Sequence, residues 1–126
     1  MVVSDQHRHA LAEGLSRFAA MVPPDLDSHT DRYFLHARAI LGAEHCAPRV
    51  TMQVFAKQAG IVAGLYEAIN IVQQAFADSP HRSELRIETL LDGDTIAPRE
   101  PVLKIHGDYI TLAACETTLL GVLARR

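Results

Sequence analysis

The feature that most constrains the fold is a change of hydrophobic period between residues 49 and 76. From Arg49 to Ala56 the chain alternates, with Val50, Met52 and Val54 facing one way and Thr51, Gln53 and Phe55 the other. That is the period of a half-buried strand with β-branched content. Leu65, Ala68, Ile69, Val72, Ala75 and Phe76 instead recur at i, i+3, i+4, i+7, i+10 and i+11, the apolar stripe of a helix. A chain carrying both periods has to bury a helical stripe against a sheet face, which places it in the α/β (α+β) class.

The remaining elements fit around this pair. A first helix is expected over Asp5–Met21, capped by Ser4, with Leu11, Leu15, Phe18 and Val22 as its stripe, and stopped by Pro23 and Pro24. A second opens at Thr30, whose hydroxyl is expected to accept a first-turn amide, with Asp31 favoured by the helix dipole. It passes through Tyr33, Ala37, Ile40 and Leu41 and ends near Gly42. Gly60–Gly64 reads as a short second strand. Leu85–Leu91 and Val102–His106 read as two more, with a turn at Asp92-Gly93-Asp94 and Gly107 closing the last strand. The final helix, Tyr109–Arg126, carries Leu112, Cys115, Leu119, Val122 and Leu123 on one side. The expected order is α, α, β, β, α, β, β, α with no internal repeat, an α/β sandwich. A chain that stops inside a helix reads as a domain cut from something longer.

Composition removes several function classes. The 126 residues suit one domain, and 12 Lys plus Arg against 15 Asp plus Glu give a net charge of −3, so no basic excess marks a nucleic-acid surface. No apolar run approaches the ~20 residues that span a bilayer, and no signal peptide is present, so a cytoplasmic chain without membrane contact is expected. Cys46 and Cys115 have no paired spacing, which indicates neither a disulfide framework nor a zinc knuckle. Among the seven histidines, His7 and His9 diverge on a helix, and His45 diverges from Cys46. With no H-E-x-x-H or C-x-x-C, no metal site is expected.

Two residues stand out against bland readings. Glu116 falls between Leu112, Leu119, Leu120 and Leu123 on the helical wheel, where a carboxylate needs a partner or must snorkel at the edge of the stripe. Tyr33 shares a face with Ala37 and Ile40, which points first to core packing. Asp92-Gly93-Asp94 is a turn first and a cation site only weakly. No nucleophile–base pair, phosphate loop or metal cluster can be assembled from these residues, and no catalytic residue is assigned.

Six segments in order resemble the N-terminal domain of the nicotinate phosphoribosyltransferase family. They are Thr30-Asp31-Arg32-Tyr33-Phe34-Leu35, Val50-Thr51-Met52-Gln53-Val54-Phe55 and Gly60-Ile61-Val62-Ala63-Gly64-Leu65-Tyr66-Glu67-Ala68, then Leu91-Asp92-Gly93-Asp94, the stretch from Pro98 through Val102 and Gly107 to Tyr109, and Glu116-Thr117-Thr118-Leu119-Leu120-Gly121. The likeness covers residues 28–126, leaving 1–27 as a helical extension. Quinolinate phosphoribosyltransferase shares the fold and is the alternative. Its final helix usually carries Glu-Arg, whereas Thr117 follows Glu116 here, a departure that favours the nicotinate side.

The resemblance implies a hammerhead-like α/β sandwich, the N-terminal domain of a type II phosphoribosyltransferase whose (β/α) barrel lies outside these residues. The whole enzyme would form nicotinate mononucleotide from nicotinate and phosphoribosyl pyrophosphate for NAD synthesis, with Mg2+ and ATP, as a homodimer in which each N-terminal domain completes its partner's site. Tyr33 would stack on the pyridine, with Thr30 and Asp31 positioning its helix. Glu116 and Thr117 would lie near the subunit junction, and Arg125 and Arg126 would either face anionic substrate or be solvated. The magnesium ligands and phosphorylated histidine would belong to the barrel, so this chain alone is expected to bind no cofactor and to be inactive.

Two rival readings come from other classes. The stretch from Asp92 to Ile105 is reminiscent of biotinyl and lipoyl carriers, although Lys104 sits mid-strand rather than at a hairpin tip. A stand-alone interaction domain would expose an apolar face, expected at Leu112, Leu119 and Val122.

Overall fold

The computed structural model describes residues 5–18 and 25–125. The elements run α1 (Asp5–Phe18), α2 (Arg32–Ala43), β1 (Arg49–Phe55), β2 (Gly60–Ile61), α3 (Leu65–Phe76), β3 (Arg86–Thr89), β4 (Thr95–Ile96), β5 (Pro101–Asp108) and α4 (Tyr109–Arg125), with short 3-10 turns at Asp27–His29 and Arg82–Glu84. The mixed helix-and-strand architecture agrees with the α/β expectation. The proposed cap Ser4, the stop at Pro23 and Pro24, Val22 and Arg126 lie outside the described residues.

β1, β5 and β3 form a three-stranded antiparallel sheet in the order β1-β5-β3, while β2 and β4 pair separately. Register sets Met52 and Ile87 on either side of Ile105, and Val54 beside Leu103. These residues line the inner face, which meets α3 and α4 in a core containing Leu65, Ile69, Val72, Phe76, Ile87, Leu103, Ile105, Leu112, Cys115 and Leu119. The helical stripe of α3 is therefore buried as its spacing requires. α1 joins the same core through Leu11, 1% exposed, and the Asn70 side-chain amide donates to the Leu15 carbonyl at 2.7 Å.

Several boundaries differ from the sequence reading for local physical reasons. The strand expected over Gly60–Gly64 is confined to Gly60–Ile61, because Gly64 turns left-handed (φ 90°) to launch α3. Its partner β4 was not foreseen; two residues are too few to show a period. β3 occupies only Arg86–Thr89 of the stretch Leu85–Leu91. Gly107 does not close β5, which runs on to Asp108. The ring of Phe76 packs on Gly107, where a Cβ would come within 2.8 Å of Cζ. The expected apolar surface at Leu112, Leu119 and Val122 is buried, because α3 and the sheet cover it. Exposed large apolar residues are instead Tyr33, Ile40, Phe55, Ile61 and Leu120 among the described residues. The last three flank an apolar groove of about 400 Å³.

Candidate functional site on the face shared by two helices

The face begins at the junction of β5 and α4. Asp108, 1% exposed, caps α4 by accepting the Thr111 amide at Oδ1 (2.9 Å). Its Oδ2 is buried without a hydrogen-bond partner among the described residues. α4 then presents Tyr109, Glu116 and Thr117 toward the start of α2.

Two threonines clamp that start onto α4. The Thr30 hydroxyl lies 2.7 Å from the Leu26 carbonyl oxygen and 2.6 Å from that of Ala114, in position to donate to either. The Asp31 amide donates to Thr117 Oγ1 at 3.2 Å. Thr30 therefore does not cap α2 as expected; Asp31 occupies the cap position, with no side-chain hydrogen bond. The connection is braced by a two-pronged contact in which Arg38 donates to both carboxylate oxygens of Asp27, each at 2.8 Å. This guanidinium holds the Asp27 carboxyl below its ordinary range, chiefly through the hydrogen bonds.

α2 buries no residue, so Tyr33 is not a core side chain. It stands 72% exposed, its ring edge-on to Phe34 at 5.3 Å between centroids. The apolar spacing that suggested packing is real, but α2, although it contacts α4, leaves Tyr33 and Ile40 to solvent. Burial, then repulsion from Asp31, raises the Glu116 carboxyl above its usual value. The Tyr109 phenol is raised by burial and then by the neighbouring Tyr33 and Glu116. Two carboxylates and two phenols are thus in electrostatic contact around a fixed backbone clamp, an arrangement able to stack a flat ring and position a polar edge.

Thr30, Asp31, Tyr33, Glu116 and Thr117 are brought together; Arg125 is not. Nine residues beyond Glu116, or about 13 Å along the helix, exposed Arg125 donates from Nε to the Gly121 carbonyl. Tyr109 and Asp108 were missed from the sequence. An Asp immediately before a helix, three residues ahead of an amide needing an acceptor, was the available signal for Asp108.

The other candidates resolve into structural roles. Asp92 Oδ1 accepts the Leu65 amide and Asp94 Oδ2 the Leu91 amide, both at 2.8 Å, so the turn at Gly93 (φ 98°) uses its carboxylates on backbone. Lys104 lies in the central strand, in register with Gln53 and Glu88, which is no carrier hairpin tip. No group of three or more His, Cys, Asp or Glu among the described residues could hold a metal ion. No described helix is long and apolar enough to cross a membrane.

A sequence profile described as quinolinate phosphoribosyl transferase, N-terminal domain, matches residues 31–126. Solved structures with the same fold include a nicotinate-nucleotide pyrophosphorylase from Pyrococcus furiosus (TM-score 0.61, 23% identity, covering 97% of this chain and 27% of that one). NadC from Streptococcus pyogenes aligns with TM-score 0.58 and 24% identity over 98% of this chain and 37% of its own. The nicotinate-nucleotide pyrophosphorylase from Francisella tularensis does so with TM-score 0.55 and 15% identity over the same shares. The chain thus spans about a third of the length of these proteins. None of the curated proteins matches it. The profile supports the phosphoribosyltransferase superfamily and its N-terminal domain, and it points to the quinolinate alternative rather than the nicotinate reading.

Proposed function

From the premise that this chain belongs to the quinolinate phosphoribosyl transferase N-terminal domain family, we propose that it is the substrate-facing and subunit-facing domain of a phosphoribosyltransferase acting on a pyridine carboxylate, with quinolinate the first candidate. The observation that carries this reading is that the matched segment contains both α2 and α4, whose juxtaposition gathers Asp31, Tyr33, Tyr109, Glu116 and Thr117. On this reading the exposed Tyr33 ring stacks on the pyridine. The clamp through Thr30 and Thr117 fixes its helix, and Glu116 meets a group from a second subunit or from the barrel. On the same reading phosphoribosyl pyrophosphate and any Mg2+ or ATP fall to the barrel. A cytoplasmic homodimer is part of the same proposal.

Nicotinate remains the second reading because Thr117 stands where the quinolinate enzymes usually have arginine. Its hydroxyl accepts the Asp31 amide, a contact that arginine could not reproduce as an acceptor. The test is an assay of the full-length gene product with phosphoribosyl pyrophosphate and Mg2+, quinolinate against nicotinate, with and without ATP. Turnover of quinolinate supports the first reading, and ATP-stimulated turnover of nicotinate the second. Turnover of neither overturns the enzyme proposal.

A further inference from the structure

The outward face of the three-stranded sheet carries a polar cleft unrelated to the α2–α4 face. Thr51 and His106 are cross-strand partners, as are His106 and Arg86. Thr51 Oγ1 and His106 Nδ1 share a hydrogen bond of 2.8 Å, while His106 Nε2 lies 3.6 Å from Glu88 on the opposite side. At the end of β1, Arg49 pairs with Glu84, and His81 Nδ1 stands 3.5 Å from the same Glu84 oxygen. Between these groups is a cavity of about 230 Å³ lined by Arg49, Val50, Thr51, Glu84, His106 and Gly107. That volume is several times the ≈ 30 Å³ share of one water, enough for a small hydrated anion.

The chemistry of the lining selects the ligand. A guanidinium fork fits carboxylate and phosphate oxygens alike, so the group that holds Glu84 is equally suited to a phosphate. Both partners are solvent-accessible, with side chains 52% and 37% exposed, and ion pairs of this kind are weak and readily exchanged. Thr51 and His106 supply a hydrogen-bonding wall for a tetrahedral anion on its other side. Glu88 engages the far nitrogen of His106, turned from the Thr51 side.

We infer that this cleft is a binding site for a phosphate-sized oxyanion, in which Arg49 supplies the charge, Thr51 and His106 the polar wall, and Glu84 acts as a displaceable internal occupant. The probe is inorganic phosphate titrated into the full-length gene product, followed by the amide NMR shifts of Thr51, His106 and Gly107. Saturable shifts in the millimolar range are expected, with at least fivefold tighter binding in Glu84→Gln, where the internal competitor is gone. A loss of tenfold or more is expected in Arg49→Gln, and a smaller loss in Thr51→Val. Absence of saturable shifts in Glu84→Gln overturns the proposal, and so does wild-type affinity in Arg49→Gln. Because Glu84→Gln reads a gain, a folding defect in the other variants would not hide the answer.

Discussion

Thr117 Oγ1 accepts the backbone amide of Asp31 across 86 residues of sequence, and this bond, with the Thr30 hydroxyl against the Ala114 carbonyl, joins α2 to α4. An uncharged hydroxyl thus serves as the acceptor at residue 117, a role an arginine, having only donors, could not fill. Replacing Thr117 or Thr30 by valine keeps shape and removes the bond. Each substitution is expected to cost about 1 kcal/mol, roughly 4 °C in Tm for a domain of this size, with more at Thr30, whose hydroxyl is part-buried. The distinguishing readout is hydrogen exchange at Asp31, which should quicken in Thr117→Val. Unchanged exchange would mean that the clamp does not hold α2.

Glu116 gives a pH signature. Its carboxyl lies above the ordinary 4.5, first through burial and then through Asp31. A raised folded-state value means the folded chain holds the proton more tightly than the unfolded chain does. Stability from this group is therefore complete below about the ordinary value and is lost as pH rises through the folded one. Glu116→Gln should remove that decline, and Asp31→Asn should lower the Glu116 midpoint partway, since burial remains. A carbon-13 titration of Glu116 tests both; a midpoint at or below 4.5 in the wild type would refute the assignment.

The Asp27–Arg38 contact has the opposite sign. The carboxyl is held low by its hydrogen bonds to the guanidinium, so its contribution is present above the ordinary value of 3.8 and is lost as pH falls through the folded one. With side chains 32% and 54% exposed, it is worth no more than about 1 kcal/mol. Arg38→Met should therefore destabilise mildly at neutral pH and hardly at all near pH 2, and the difference should shrink in high salt. Equal losses at both pH values would show that packing of the arginine stem, not charge, is what matters.

How much was legible followed from how local each cause is. α3 was readable end to end because its burial is set by one uninterrupted stripe of its own residues, Leu65 to Phe76. The core-packing reading of Tyr33 fails because a stripe says which side of a helix is apolar, not whether anything lies on it. α2 contacts α4, yet Tyr33 and Ile40 on its apolar side stay exposed. The grouping of Thr30, Asp31, Tyr33, Glu116 and Thr117 came from resemblance, since no spacing rule links residue 31 to residue 117. β4 and the extension of β5 past Gly107 depend on strand partners, Ile61 and Arg49, that lie far away in sequence.

The close approach of Phe76 to Gly107 is itself testable. A methyl group added at Gly107 would lie 2.8 Å from Phe76 Cζ and 3.2 Å from Cε1, in a ring only 1% exposed. Gly107→Ala is expected to destabilise by about 1–3 kcal/mol through overpacking. Phe76→Leu alone leaves a void, yet the pair should cost less than the two single changes added together. Strict additivity in denaturant melts would show that the ring does not set the residue at 107.

The two thiols should report the integrity of the core. Cys46 is exposed, whereas Cys115 is buried on the inner side of α4, its thiol pushed up to about 12 by burial. Only the thiolate reacts with an alkylating agent or an aromatic disulfide, so in native buffer Cys46 should be titrated and Cys115 spared. In denaturant both should react. Cys115 donates to the Leu112 carbonyl and sits among the residues joining α4 to α3, so its slow native labelling requires opening of that helix pair. Its rate, measured against the free thiol in denaturant, gives the free energy of opening. Equal labelling of both cysteines under native conditions would contradict the packing of α4 described above.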